Sequence, residues 1–196
     1  MSQNIEIEFK NMLNKEEYDK LICYFNIEEK DFFTQENHYF DTPDFALKHQ
    51  KSALRIRQKE DLYEMTLKQP IEEGILETNQ IISKEEASMA FSQHMLPRGV
   101  IQNQLSKMDI SPAKLRYFGA LTTKRIEFRY ENGLLVLDHS YYLNKEDYEV
   151  EYEVDNYQLG QQLFYQFLHQ HGIPLRESEN KIQRFYHQKY QGDFLS

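Results

Sequence analysis

Ile5-Glu6-Ile7-Glu8-Phe9-Lys10 alternates apolar and charged residues without a break, the period-two pattern of a β-strand. Glu6, Glu8 and Lys10 then share one face, and Ile5, Ile7 and Phe9 line the other. The device recurs in Arg55-Ile56-Arg57 and in Glu149-Val150-Glu151-Tyr152-Glu153. Several strands, each apolar on one side and charged on the other, predict a sheet closed around a charged interior. Such an interior would suit both a cation and a polyanion.

Eight strand-like segments follow from the same alternation, near 3–10, 36–41, 53–59, 62–69, 75–82, 121–130, 133–138 and 147–154. Turn chemistry separates them at Asp41-Thr42-Pro43-Asp44, Gln58-Lys59-Glu60-Asp61 and Glu72-Glu73-Gly74, and Glu131-Asn132-Gly133 predicts a hairpin through its Asn-Gly pair. Helices are expected over 15–25 behind Asn14, over 84–95 behind the Ser83-x-x-Glu86 capping box, and over 156–171. Gly172 and Pro174 close the third, and a last helix after Ser178 carries Lys181, Arg184 and Phe185. The least regular stretch, 97–118, reads as a helical insertion. No repeat or linker divides residues 1–196, so the expectation is a single α+β domain on a mainly antiparallel sheet.

The chain is acidic, with 32 Asp+Glu against 23 Lys+Arg and a formal charge of −9. That balance argues against a nucleic-acid partner, which needs a basic footprint, but permits a local Arg/Lys cluster for a small anion. The single cysteine, Cys23, excludes an internal disulfide framework and is expected to be a buried packing thiol. No signal sequence or membrane-length apolar run appears, so a cytoplasmic location without membrane association is expected.

The acidic candidates are Glu6, Glu8, Asp138, Glu149, Glu151 and Glu153, with Asp138 ending a strand that otherwise reads Leu134-Leu135-Val136-Leu137. Carboxylates around an open site suit hard cations such as Mg²⁺ or Mn²⁺. Spacing alone fits a solvated strand face as well. The basic candidates are Lys10, Arg55, Arg57, Lys68, Arg125 and Lys181, whose forks and point charges suit phosphate oxygens. Cross-strand salt bridges to the acidic set are the competing reading. Phosphate-binding Gly loops, a dinucleotide fingerprint and a nucleophile elbow are all missing.

In order along the chain come Glu6-x-Glu8-x-Lys10, Tyr39-Phe40-Asp41-Thr42, Leu54-Arg55-Ile56-Arg57, Thr66-Leu67-Lys68, Arg125, Leu137-Asp138 and Glu149-x-Glu151-x-Glu153. This series resembles the CYTH superfamily, the triphosphate tunnel metalloenzymes, and within it the small stand-alone YjbK-like bacterial branch. The resemblance implies an eight-stranded antiparallel β-barrel with surrounding helices. It implies Mg²⁺ or Mn²⁺ held by Glu6, Glu8, Asp138, Glu149, Glu151 and Glu153. It also implies a small triphosphate gripped by Lys10, Arg55, Arg57, Lys68, Arg125 and Lys181.

Two positions depart from the family pattern. An Arg-x-Glu-x-Glu type strand becomes Leu76-Glu77-Thr78-Asn79-Gln80, and a Lys-x-Arg becomes Thr123-x-Arg125. The expected activity is metal-dependent hydrolysis of inorganic triphosphate or a small organic triphosphate, with Glu151 or Glu153 as base and Lys10 beside the phosphoryl group. The alternatives are a non-catalytic polyphosphate- or nucleotide-binding module, a class IV-type adenylyl cyclase, and a structural barrel with an internally paired core.

Overall fold

The computed structural model describes residues 2–190. Its eight strands form a closed barrel in the order β1-β5-β4-β3-β2-β6-β7-β8, and six α-helices accompany them. The strands are β1 Ser2–Leu13, β2 Phe33–Asp41, β3 Ala53–Lys59, β4 Leu62–Pro70, β5 Ile75–Ile82, β6 Arg116–Tyr130, β7 Gly133–Tyr142 and β8 Lys145–Val154. The helices are α1 Lys15–Tyr24, α2 Ala46–His49, α3 Lys84–Gln93, α4 Val100–Lys107, α5 Tyr157–Gln170 and α6 Lys181–Tyr190. All eight expected strands are present. No described helix is long and apolar enough to cross a membrane.

The chain forms two compact units, one with the start of the chain through Ile5 and Gln35–Leu121, the other with Glu6–Thr34 and the chain from Thr122 onward. In the first, alternation sends Leu54, Ile56, Met65 and Leu67 to one face, where Ala87 and Ala90 of α3 and Ile101 and Leu105 of α4 cover them. Ala53, Arg55 and Arg57 take the opposite face with their register partners Lys68, Thr66 and Glu64. In the second, Leu13, Leu135, Leu137, Val150 and Tyr152 pack with Tyr18 and Leu21 of α1 and with Phe164, Phe167 and Leu168 of α5. Glu8, Lys10, Glu149, Glu151 and Glu153 are left on the face turned away from those helices.

Local chemistry accounts for the helix starts. Both capping boxes close: Asn14 Oδ1 accepts from Glu17 N at 2.8 Å, and Ser83 Oγ accepts from Glu86 N at 3.2 Å.

Three expectations need correction. The stretch 97–118 holds α4, a short 3-10 turn at Pro112–Lys114 and the beginning of β6, so only its first half is helical. Strand β7 runs to Tyr142, so Asp138 lies mid-strand rather than at a strand end. The expected β6–β7 hairpin is present with its expected bounds: Tyr130 pairs with Gly133, and Glu131-Asn132 make the turn, with Glu131 at φ +49°. Gly133 serves another purpose there: a Cβ on it would lie 2.5 Å from the Glu153 carbonyl oxygen and 2.6 Å from the Tyr152 ring. Finally, Cys23 is exposed. The inward face of α1 runs through Tyr18, Leu21, Ile22 and Phe25, and Cys23 falls outside that stripe.

Candidate active site

In the second unit, antiparallel register stacks the charged positions of four neighbouring strands. Arg125 of β6 opposes Asp138 of β7, which opposes Glu149 of β8, while Lys10 of β1 opposes Glu151. Cross-strand partners sit close enough for their side chains to meet. Arg125 donates to both Asp138 oxygens, from Nε at 2.7 Å and from Nη2 at 2.6 Å, and Nη2 also reaches Glu151 at 2.7 Å. The bidentate fork fixes the guanidinium in plane with Asp138.

Helix α6 delivers two further cations to the same acids. Lys181 Nζ lies 2.8 Å from Asp138 and 2.6 Å from Glu149, and also donates to Glu151. Arg184 bridges Asp147 at 3.0 Å and Glu149 at 3.1 Å, and donates to the Glu179 carbonyl at 2.6 Å. Ser178 Oγ donates to Glu149 at 2.6 Å, and the Tyr142 hydroxyl to Asp147 at 2.6 Å. Four carboxylates thus share three cations. Lys10 stands at the edge, donating to Glu8 at 2.9 Å and to the Asn180 side chain at 2.6 Å.

Electrostatics divides the acids into two kinds. Burial pushes Glu149 up, but Lys181 and Arg184 outweigh it and bring the group down to about 2. Glu151 behaves likewise, held well below the usual carboxylate range by Lys181, Arg125 and Lys10 against its burial. Lys181 is in turn held well above the ordinary lysine range, because Asp138, Glu149 and Glu151 overcome its desolvation. Glu153 goes the other way. Burial, then the neighbouring charges of Glu6 and Glu151, push it up to about 7. Its carboxylate has no hydrogen-bond or ion-pair partner among the described residues.

Oxygens of Asp138, Glu149 and Glu151 lie within 4.8 Å of one another, close enough to hold a metal ion. Those same oxygens are already neutralised by Arg125, Lys181 and Arg184, so proximity alone is a poor guide to where a cation is wanted. The acid whose charge is least balanced is Glu153, which stands near Glu6 and opposite Glu8 in the β1–β8 register. That donor set fits a hard cation, which prefers carboxylate oxygen and lowers the cost of packing like charges together.

The first unit presents a different chemistry. Arg55 and Arg57 share the helix-free face, with Asn37 accepting from Arg57 Nε at 2.9 Å and Glu77 pairing with Lys68 at 2.8 Å. Arg55 Nε is buried without a hydrogen-bond partner. Every basic position singled out from the sequence therefore lies on a charged, helix-free strand face or at the start of α6.

The sequence reading passed over Asp147, Ser178 and Asn180. Asp147 stands two residues before Glu149 in the same alternation, a signal that would have found it. Ser178 and Asn180 lie in the irregular segment before α6 and carry no periodic signal.

The CYTH domain pattern matches residues 4–186. A Bacillus subtilis (strain 168) protein named "Putative triphosphatase YjbK" is 50% identical over 189 residues, covering 96% of this chain and 98% of that protein. A Bacillus halodurans crystal structure, described as a "putative adenylate cyclase", superposes with a TM-score of 0.92 at 46% identity, covering 95% of this chain and 100% of the other. The fold is shared more distantly with the Hippeastrum protein HpAC1, at a TM-score of 0.76 and 22% identity over 93% of this chain and 95% of that one. With the strand order, the charged faces and the match over residues 4–186 in agreement, this chain is a member of the CYTH family.

Proposed function

We propose that the protein is a metal-dependent triphosphatase acting on inorganic triphosphate or a small organic triphosphate. The supporting observation is that its charges are not fully paired. A structural barrel with an internally satisfied core would leave neither the half-buried Glu153 without a partner nor Arg55 Nε buried without an acceptor. A passive anion binder has no use for Glu6, Glu8 and Glu153 gathered on one strand pair.

Glu6, Glu8 and Glu153 would hold Mg²⁺ or Mn²⁺, which when bound supplies neutralisation of charge on phosphoryl oxygens. Arg55, Arg57 and Lys68 serve as anion-gripping residues, and Lys10, pinned by Glu8 and Asn180, is a preset ammonium for a phosphoryl oxygen. Lys181, with Arg125 beside Glu151, keeps Glu149 and Glu151 ionised, and both cations offer charge that a phosphate oxygen can share.

Of the two carboxylates expected as base, Glu151 is held ionised and is a weak proton acceptor. The Glu153 carboxyl, pushed up to about 7 by burial and by Glu6 and Glu151 with no ion beside it, is the one whose charge a cation would stabilise, which assigns it to the ion rather than to the base. Catalysis of phosphoryl transfer is mostly positioning and electrostatics, and this inventory supplies both.

The test is phosphate release from inorganic triphosphate, ATP and thiamine triphosphate, each with Mg²⁺, Mn²⁺ or EDTA. Metal-dependent orthophosphate release is expected from at least one of them. The name of the Bacillus halodurans relative favours one specific rival, and pyrophosphate plus a cyclic nucleotide from ATP would establish it instead.

A further inference from the structure

On β4, Met65 and Leu67 are fully buried beneath α3 and α4, while Thr66 points to the opposite face. Thr66 is itself only 1% exposed, and its hydroxyl has no hydrogen-bond partner. A buried, unsatisfied hydroxyl costs free energy in the folded protein, so its retention calls for an acceptor that arrives later. Its register partner across the sheet is Arg55, whose Nε is likewise buried and unpartnered. Directly cross-strand side chains lie a few ångströms apart. Two orphaned donors on adjacent strands of one face, with Lys68 two residues further along β4, describe a small oxyanion cradle.

We propose that the Thr66 hydroxyl is a substrate-binding donor, acting with Arg55 Nε on one phosphate oxygen of the triphosphate. This rests on the triphosphatase reading above and adds a residue to it. A threonine suits the position for two reasons. Its β-branch favours the strand, and its hydroxyl, unlike an ammonium, contacts an oxyanion without adding a charge that Glu77 would have to balance. The competing view takes Thr66 as a strand-forming side chain valued only for its methyl group.

The experiment measures calorimetric binding of inorganic triphosphate in EDTA, together with the thermal midpoint of the unliganded protein, for the wild type, Thr66→Val, Thr66→Ala and Thr66→Ser. Loss of a hydrogen bond to a charged group corresponds to about a tenfold or greater loss of affinity, expected for both Val and Ala. Ser should bind like the wild type. Val, which removes the unsatisfied hydroxyl at equal size, should leave the unliganded midpoint unchanged or raise it. The Ala variant adds no bulk, so crowding cannot account for a shared loss of affinity. Wild-type affinity in Val and Ala would overturn the Thr66 assignment while leaving the triphosphatase reading in place. A wild-type protein that binds triphosphate neither in EDTA nor with Mg²⁺ would overturn both, and one that binds only with Mg²⁺ would overturn the metal-free cradle alone.

Discussion

Single residues in this protein are decided by what faces them, and Glu153 is the clearest case. Its carboxyl is raised from 4.5 to about 7, so between those values the native state binds more protons than the unfolded state. Stability therefore falls as pH rises through that window, by up to about 3 kcal/mol from this group alone. Glu153→Gln is expected to flatten that part of the pH–stability curve and to abolish stabilisation by Mg²⁺ or Mn²⁺. Thermal unfolding between pH 4.5 and 7.5, with and without the ions, reads both effects. Glu149, drawn down to about 2, has the opposite sign: its stabilisation is complete above 4.5 and drains away as pH falls toward 2. Cys23 gives a simpler test. As an exposed thiol it should be titrated by a thiol reagent in the native protein with no loss of activity. Slow reaction that requires denaturant would restore the packing role expected from its apolar neighbours.

Elements carry the next set of constraints, and α6 is the one whose placement matters most. It brings Lys181 and Arg184 to acids that three different strand positions have already brought together. Removing one partner of a buried ion pair leaves uncompensated charge, at a cost of about 3–5 kcal/mol. Arg184→Met should destabilise by that order in chemical denaturation, and adding Asp147→Asn should recover part of the loss. The β6–β7 hairpin makes a second prediction. Gly133→Ala would drive a methyl group into the Glu153 backbone and the Tyr152 ring, costing about 1–3 kcal/mol and displacing the strand that carries Glu153. A variant as stable and active as the wild type would mean that β8 yields more easily than its packing indicates.

At the scale of the whole molecule, a net charge of −9 and the proposed polyanionic substrate are reconciled by location. Carboxylates occur over the surface, whereas Arg55, Arg57 and Lys68 are grouped on one strand face. Ligand binding should therefore register as a global stability change. Triphosphate at about a hundred times its dissociation constant contributes about 2.7 kcal/mol, and the thermal midpoint should rise accordingly. With EDTA present, the share due to the cation should disappear. A midpoint indifferent to triphosphate and metal alike would favour the structural-barrel reading.

Period-two alternation was enough to place all eight strands and to assign Glu6, Glu8, Lys10, Arg55, Arg57, Glu149, Glu151 and Glu153 to charged faces, because side-chain direction in a strand is a local property of the backbone. The capping residues Asn14 and Ser83 were legible for the same reason: their partners lie three residues away. The order of motifs along the chain also identified the family. What no local pattern contained was which charges neutralise one another. Asp138, Glu149 and Glu151 look like Glu153 in sequence, yet they meet Arg125, Lys181 and Arg184 through strand register and the return of α6, contacts between positions up to several tens of residues apart. The exposure of Cys23 and the unpartnered hydroxyl of Thr66 belong to the same class. Each depends on which surface packs against which, and free energy of burial and pairing is set only when the chain has closed on itself.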